Sequence, residues 1–174
     1  MSKIILAPYA AKLRSGNHNP KNYPWWAEVV AMLDGHEVIQ IGVKGEDRIE
    51  GVAQFIVGWP LGKLREVISE ADTWVACDSF LPHFCYCERL KGGVVVWGTS
   101  DPAHWGHNMN TNLLKDRHNL RRYQFQHWED EPYREDVFVS PQEVVDAIQA
   151  RLTRTESADR PAPFSRSLQL ASQS

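Results

Sequence analysis

Apolar positions in this chain fall into short unbroken runs, separated by stretches in which they recur every three or four residues. The runs Lys3–Ala7, His36–Gly42, Gln54–Val57, Thr73–Cys77 and Gly93–Trp97 are brief and largely β-branched. That is the pattern of strands covered on both faces. Trp25, Trp26, Val29, Val30 and Leu33 share one helical face, as do Leu61, Leu64, Val67, Ile68 and Ala71. Pro24 opens the first of these helices and Gly35 closes it. Leu113 and Leu114 suit a last short strand. Ser140, Pro141 and Glu143 form a capping box, opening a helix that turns Val144, Val145, Ile148 and Leu152 inward. The pattern predicts an α/β fold over residues 1–152, a doubly wound, Rossmann-like parallel sheet with helices on both faces. Residues 153–174, rich in Ser, Pro and Ala, lack periodicity and read as a disordered tail.

The centre of the pattern is Ala71–Pro102, two buried strands joined through one short helix. In such sheets ligands collect beyond the carboxyl ends of the strands, where the polar turns Asp78-Ser79 and Thr99-Ser100-Asp101 fall. Asp78 and Ser79 are expected to cap the short helix, with Pro82 in its first turn. Its backbone N–H groups and His83 would face a bound anion, or the turn is simply a capped helix beside a histidine. The long loop PYAAKLRSGNHNPKNYP after the first strand offers Lys12, Arg14, His18 and Lys21, either as phosphate partners or as a solvated loop. Glu46, after the second strand, could accept hydrogen bonds from a ribose or cap the next turn.

Composition narrows the possibilities. The 174 residues are 43% hydrophobic and 24% charged, which suits one globular domain with a real core. A net charge of −3 supplies no electrostatic footprint for nucleic acid. Arg121 and Arg122, interleaved with aromatics, could still stack on bases; alternatively, Leu120, Tyr123, Phe125 and Trp128 lie on a helix packed against the domain. No apolar run reaches the roughly 20 residues of a membrane span, and the amino terminus lacks a secretory core, so a cytoplasmic protein is expected. Cys77, Cys85 and Cys87 are an odd number at spacings that suit packing rather than a disulfide framework or zinc. His83, His104 and His107 have no carboxylate at a metal-binding spacing, so no metal is expected.

Four motifs in order resemble the carboxyl-terminal, donor-binding domain of the heptosyltransferase-like glycosyltransferases of family nine, one half of the GT-B fold. They are Lys21-Asn22-Tyr23-Pro24 before a tryptophan-containing helix, Gly42 with Glu46, Asp78-Ser79-Phe80-Leu81-Pro82-His83, and Gly98-Thr99-Ser100-Asp101-Pro102 with Trp105. The resemblance covers roughly Lys3–Leu152. It implies a nucleotide diphosphate sugar as donor substrate, no other cofactor, and transfer to an acceptor without a metal. By the same resemblance Lys21, Asp78, Ser79, His83 and Thr99 would hold the diphosphate and Glu46 the ribose or base. His83, Asp101 and His104 are the candidates for proton transfer. Phe80 stands where the family has glycine, and the family's amino-terminal acceptor domain has no counterpart here. The chain is therefore expected to act with a second copy or a separate acceptor subunit, or to be a non-catalytic nucleotide-sugar binding module. Modification of nucleic acid is the third reading, disfavoured by charge.

Overall fold

Each strand places alternate residues on opposite faces of the sheet. The core accordingly divides in two. Ile4, Leu6, Val38, Val75, Cys77, Val94 and Val96 face one layer, whereas Ile5, Ala7, Ile39, Ile41, Trp74, Ala76, Val95 and Trp97 face the other. The computed structural model describes residues 1–125 and 131–158, with side chains to Arg154. Its strands are β1 (Lys3–Ala7), β2 (Glu37–Gly42), β3 (Gln54–Val57), β4 (Thr73–Cys77), β5 (Val94–Trp97) and β6 (Thr111–Leu114). They form a six-stranded sheet in the order β3-β2-β1-β4-β5-β6, every pair parallel. The doubly wound, Rossmann-like fold expected from the sequence is the fold observed.

Helices α1 (Trp26–Met32) and α5 (Pro141–Ala158) cover the first face. Trp26, Val29 and Val30 of α1, and Val144, Val145, Ile148 and Leu152 of α5, join its cluster. Helices α2 (Leu61–Glu70) and α3 (Phe80–Cys87) cover the second through Ile68, Leu81, Phe84 and Cys85. Three tryptophans are fully enclosed, and each indole N–H is satisfied: Trp26 donates to the Pro8 carbonyl, Trp74 to that of Lys91 and Trp97 to Asn112 Oδ1. Trp74 lies so close to Gly93 that a Cβ there would meet the indole at 2.2 Å and the Trp74 carbonyl at 2.4 Å.

Several expectations change. The polar loop after β5 contains a one-turn helix, α4 (Pro102–Trp105). Helix α5 carries regular structure past Leu152 to Ala158, while residues 159–174 lie outside the described part of the chain. The capping box at its start is present: Ser140 donates its N–H and hydroxyl to Glu143 Oε2 at 2.9 and 2.8 Å. Residues 120–125 form no helix, and the regular structure here is a 3-10 turn at Arg117–Asn119. Tyr123 and Phe125 are exposed rather than packed inward, because the chain here is drawn along the β5 exit by Arg121 and Gln124. Trp128 lies outside the described residues. The three cysteines are free thiols, Cys77 and Cys85 buried and Cys87 exposed. No described helix is long and apolar enough to cross a membrane.

Candidate functional site

The sheet order reverses between β1 and β4, and the crevice beyond their carboxyl ends is where open α/β sheets take ligands. Two sequence candidates meet there. Lys21 Nζ lies 2.8 Å from Asp78 Oδ2, an ion pair whose side chains are 14% and 4% exposed. Asp78 is therefore not a helix cap. Ser79 occupies the cap position of α3 without a side-chain cap bond, and β4 just before it ends on the buried Cys77 thiol. Burial pushes that thiol up to about 12, so Cys77 is inert packing.

The turn after β5 closes on the same place. A Cβ on Gly98 would meet the Phe138 ring at 2.9 Å and the Pro20 carbonyl at 3.3 Å, so only glycine lets the turn approach the loop that carries Lys21. The Thr99 carbonyl accepts the Arg121 backbone N–H at 3.0 Å and Gln124 Nε2 at 3.2 Å. The Arg121 guanidinium is itself enclosed, 4.0 Å from Glu131, and feels the Asp78 carboxylate. Burial holds it below its usual value, with both carboxylates pulling the other way. Lys21, Asp78, Thr99 and Arg121 thus converge. The nucleic-acid reading had drawn on Arg121 and Arg122 together, and of the two Arg121 is enclosed.

The remaining candidates form two further groups. His83 Nδ1 and His107 Nε2 are 3.0 Å apart, and His107 stacks on Tyr86 with ring centroids 4.1 Å apart. Burial first, and the neighbouring His83 second, hold His107 below the usual histidine value, favouring its neutral form. Asp101 caps α4 through the Ala103 N–H at 2.9 Å and takes Arg117 in a two-pronged bond at 3.2 and 2.7 Å. His104 Nδ1 stands 3.3 Å from Asp101 Oδ2. Burial raises the Asp101 carboxyl, but the Ala103 N–H, Arg117 and His104 together outweigh it and hold it below the ordinary range.

Glu46 lies apart from all of these, on the β2 side of the β1 loop. It folds back so that Val43 donates its N–H to Oε2 at 3.0 Å, which is possible only because Gly42 leaves the space; a Cβ there would meet Oε2 at 2.2 Å. Burial raises its carboxyl, opposed by the Val43 N–H and by Lys12. With Tyr9, Lys12, His18, Asn19 and Asp47 it lines a cleft of about 630 Å³ between the β1 and β2 exit loops. The loop on one wall is held by its own amides: Asn22 Oδ1 accepts the Ala10 N–H at 2.8 Å and Asn19 Oδ1 that of Lys21 at 3.0 Å. The other wall is held by Gln40, fully buried in β2, which donates to the Asp47 carbonyl and accepts the Ile49 N–H.

Tyr9, Arg117, Gln124 and the role of Arg121 escaped the sequence reading, since each acts through a partner distant along the chain. The one available sign was the density of turn-forming residues in the β1 loop. Among the described residues no group of three or more His, Cys, Asp or Glu could hold a metal ion.

This architecture, a parallel Rossmann-like sheet with its polar loops at one edge, is one that glycosyltransferases share. The chain is similar in structure to the bacterial iron-containing dodecameric glycosyltransferase TibC of enterotoxigenic E. coli H10407, with a TM-score of 0.55 and 14% identity over 92% of this chain and 48% of that one. A second similar structure is dodecameric heptosyltransferase TibC in complex with ADP-D-beta-D-heptose, with the same TM-score and identity over 90% of this chain and 45% of that one. The chain spans about half the length of both. No protein-family profile matches it, and no curated protein matches it in sequence.

Proposed function

We propose that the chain is the donor-binding half of a heptosyltransferase-like glycosyltransferase, corresponding to the carboxyl-terminal domain of family nine, and that it works in the cytoplasm. The observation that carries this reading is the Lys21–Asp78 ion pair at the sheet's switch point, with the Thr99 turn and Arg121 closing on it and the Glu46 cleft on the far side of the β1 loop. The ribose hydroxyls of a nucleotide diphosphate sugar would hydrogen-bond to Glu46, and the diphosphate would lie toward Lys21, Arg121 and the amino end of α3. Asp78 orients Lys21 before ligand arrives. Ser79 contributes backbone, and Thr99 positions Arg121. As the bond between the sugar's anomeric carbon and the diphosphate breaks and an acceptor hydroxyl attacks that carbon, negative charge grows on the departing diphosphate. The two cations would stabilise it. The hydroxyl's proton would pass to His104, which Asp101 orients, or to His83. The acceptor would come from a second copy or a separate subunit. The iron named for the TibC structure finds no matching ligand group among the described residues, and no step here runs through a metal.

A non-catalytic nucleotide-sugar binder is the second reading. It is favoured by how fully the proposed reactive groups are already engaged: Lys21 with Asp78, Asp101 with Arg117, His83 with His107.

Calorimetric titration with ADP-, UDP- and GDP-sugars, beginning with ADP-heptose, tests both. One class is expected to bind, and Glu46→Ala to weaken it by about tenfold or more, the loss of a charge-assisted hydrogen bond pair. Chromatographic detection of free nucleoside diphosphate in the presence of acceptors then separates transferase from binder. If no nucleotide sugar binds, the proposal fails.

A further inference from the structure

The sheet ends at β3, and among the described residues no strand or helix pairs with that edge. Edge strands ordinarily discourage pairing with charge, proline or a covering segment, yet Gln54-Phe55-Ile56-Val57 contains neither a charge nor a proline. Ala53 donates its N–H to the Val38 carbonyl across the β2 side. The Gly58 N–H reaches the Gly42 carbonyl in the regular ladder step, so the backbone groups of Gln54 and Ile56 face β2 and those of Phe55 and Val57 turn outward. The opposite edge is managed differently: Arg151 reaches over it to Thr111 Oγ1 and the Met109 carbonyl, while Lys115 donates to the Asp136 carbonyl.

Exposed apolar side chains gather at the carboxyl end of the open edge. Val57, Trp59 and Leu61 are 41%, 37% and 57% exposed, and Val43, which follows the Gly42 partner of Val57, is 61% exposed. The ends of the strand differ in charge. At its start lie Glu37, whose Oε1 accepts from Gln54 Nε2, and Glu50, with Arg48 turned back on the Val52 and Ala53 carbonyls. At its finish lie Lys44 and Lys63, the latter over the Trp59 ring and 3.5 Å from Glu66.

We infer that β3 is a dimerisation edge that pairs antiparallel with β3 of a second copy, joining the two sheets into one. A twofold arrangement uses the same patch on both subunits. Antiparallel pairing lays the acidic start of one strand against the basic finish of the other, whereas a parallel arrangement would set like ends together. It also covers the Val57, Trp59 and Leu61 patch. Because Val43 begins the loop that carries Glu46, the second copy would stand next to the cleft. The inference does not depend on the sugar-transfer reading, since it rests on the edge alone.

Sedimentation velocity of the full chain over a wide concentration range provides the test. A reversible dimer is expected, with Val57→Pro, which blocks an outward amide while sparing the β2 ladder, weakening association by about tenfold or more. Val57→Lys, at an exposed position, should do the same without touching the core. Hydrogen exchange of the unmodified protein should show Phe55 and Val57 amides becoming protected as concentration rises. A chain that stays monomeric overturns the inference. So does a dimer that survives both substitutions, or one whose β3 amides exchange at the same rate at every concentration.

Discussion

Asp78 illustrates how a single buried carboxylate constrains a site. With its partner removed it would stay enclosed and uncompensated, and breaking a buried pair of this kind from one side costs several kcal/mol. Lys21→Ala is accordingly expected to lower unfolding stability by about 3 kcal/mol in urea titrations. Because the lysine serves both fold and ligand, its contribution to donor binding must be read from binding constants rather than from thermal shifts. Two other carboxylates have opposite pH behaviour. The Asp101 carboxyl is held below its ordinary 3.8, so its contribution to stability is present above that value and is lost as pH falls through the lower folded one. The Glu46 carboxyl is raised above 4.5, so folding becomes less favourable as pH rises through that region. Asp101→Asn should therefore flatten the acid limb of stability. Glu46→Gln, which keeps an acceptor for Val43, should stabilise the unliganded protein at neutral pH and lose that advantage in acid. Urea titrations at pH 3 to 7, about one unit apart, would check both signs. Glu46 was legible as a candidate because a carboxylate after a strand is a local feature. The Lys21 and Asp78 bond was not, because nothing in the sequence says that two oppositely charged residues so far apart will satisfy one another.

At the level of elements, the strands were readable because burial on both faces leaves a continuous apolar run, and β4, with all five residues buried, is the clearest case. The Ser140 and Glu143 box was readable because its chemistry lies within four residues. Asp78-Ser79 carried a similar signal and misled: the carboxylate found a stronger partner in Lys21. Arg117 likewise took Asp101, leaving α4 capped by a residue whose charge is already spoken for. Gly93 shows what spacing does not reveal. Nothing about it suggests a tight site, yet an added methyl group would enter the Trp74 indole and backbone together. Gly93→Ala is expected to cost about 3 kcal/mol, checked by chemical denaturation, because the obstacle includes main chain and cannot move aside.

Across the whole molecule, the β1 loop is fastened to residues near the other end of the described chain. Tyr23 donates its hydroxyl to the Val139 carbonyl at 3.1 Å, Tyr133 donates to the Asn22 carbonyl at 3.2 Å, and His18 packs edge-on against Tyr133 at 4.2 Å. Burial raises both phenols, Tyr133 to about 12, so neither hydroxyl ionises near neutrality and both remain donors. Tyr133→Phe keeps the ring and removes one donor. It is expected to leave the sheet intact and to speed hydrogen exchange of the Ala10 and Lys21 amides by up to about tenfold, the worth of one hydrogen bond.

That fastening makes the segment leading into α5 a listening post for the loop. Any movement of Asn22 must tug on the Tyr133 ring, so a fluorine label on that tyrosine would signal an occupied crevice through its resonance. The site could then be surveyed for ligands without knowing the reaction, and without disturbing a residue that touches them.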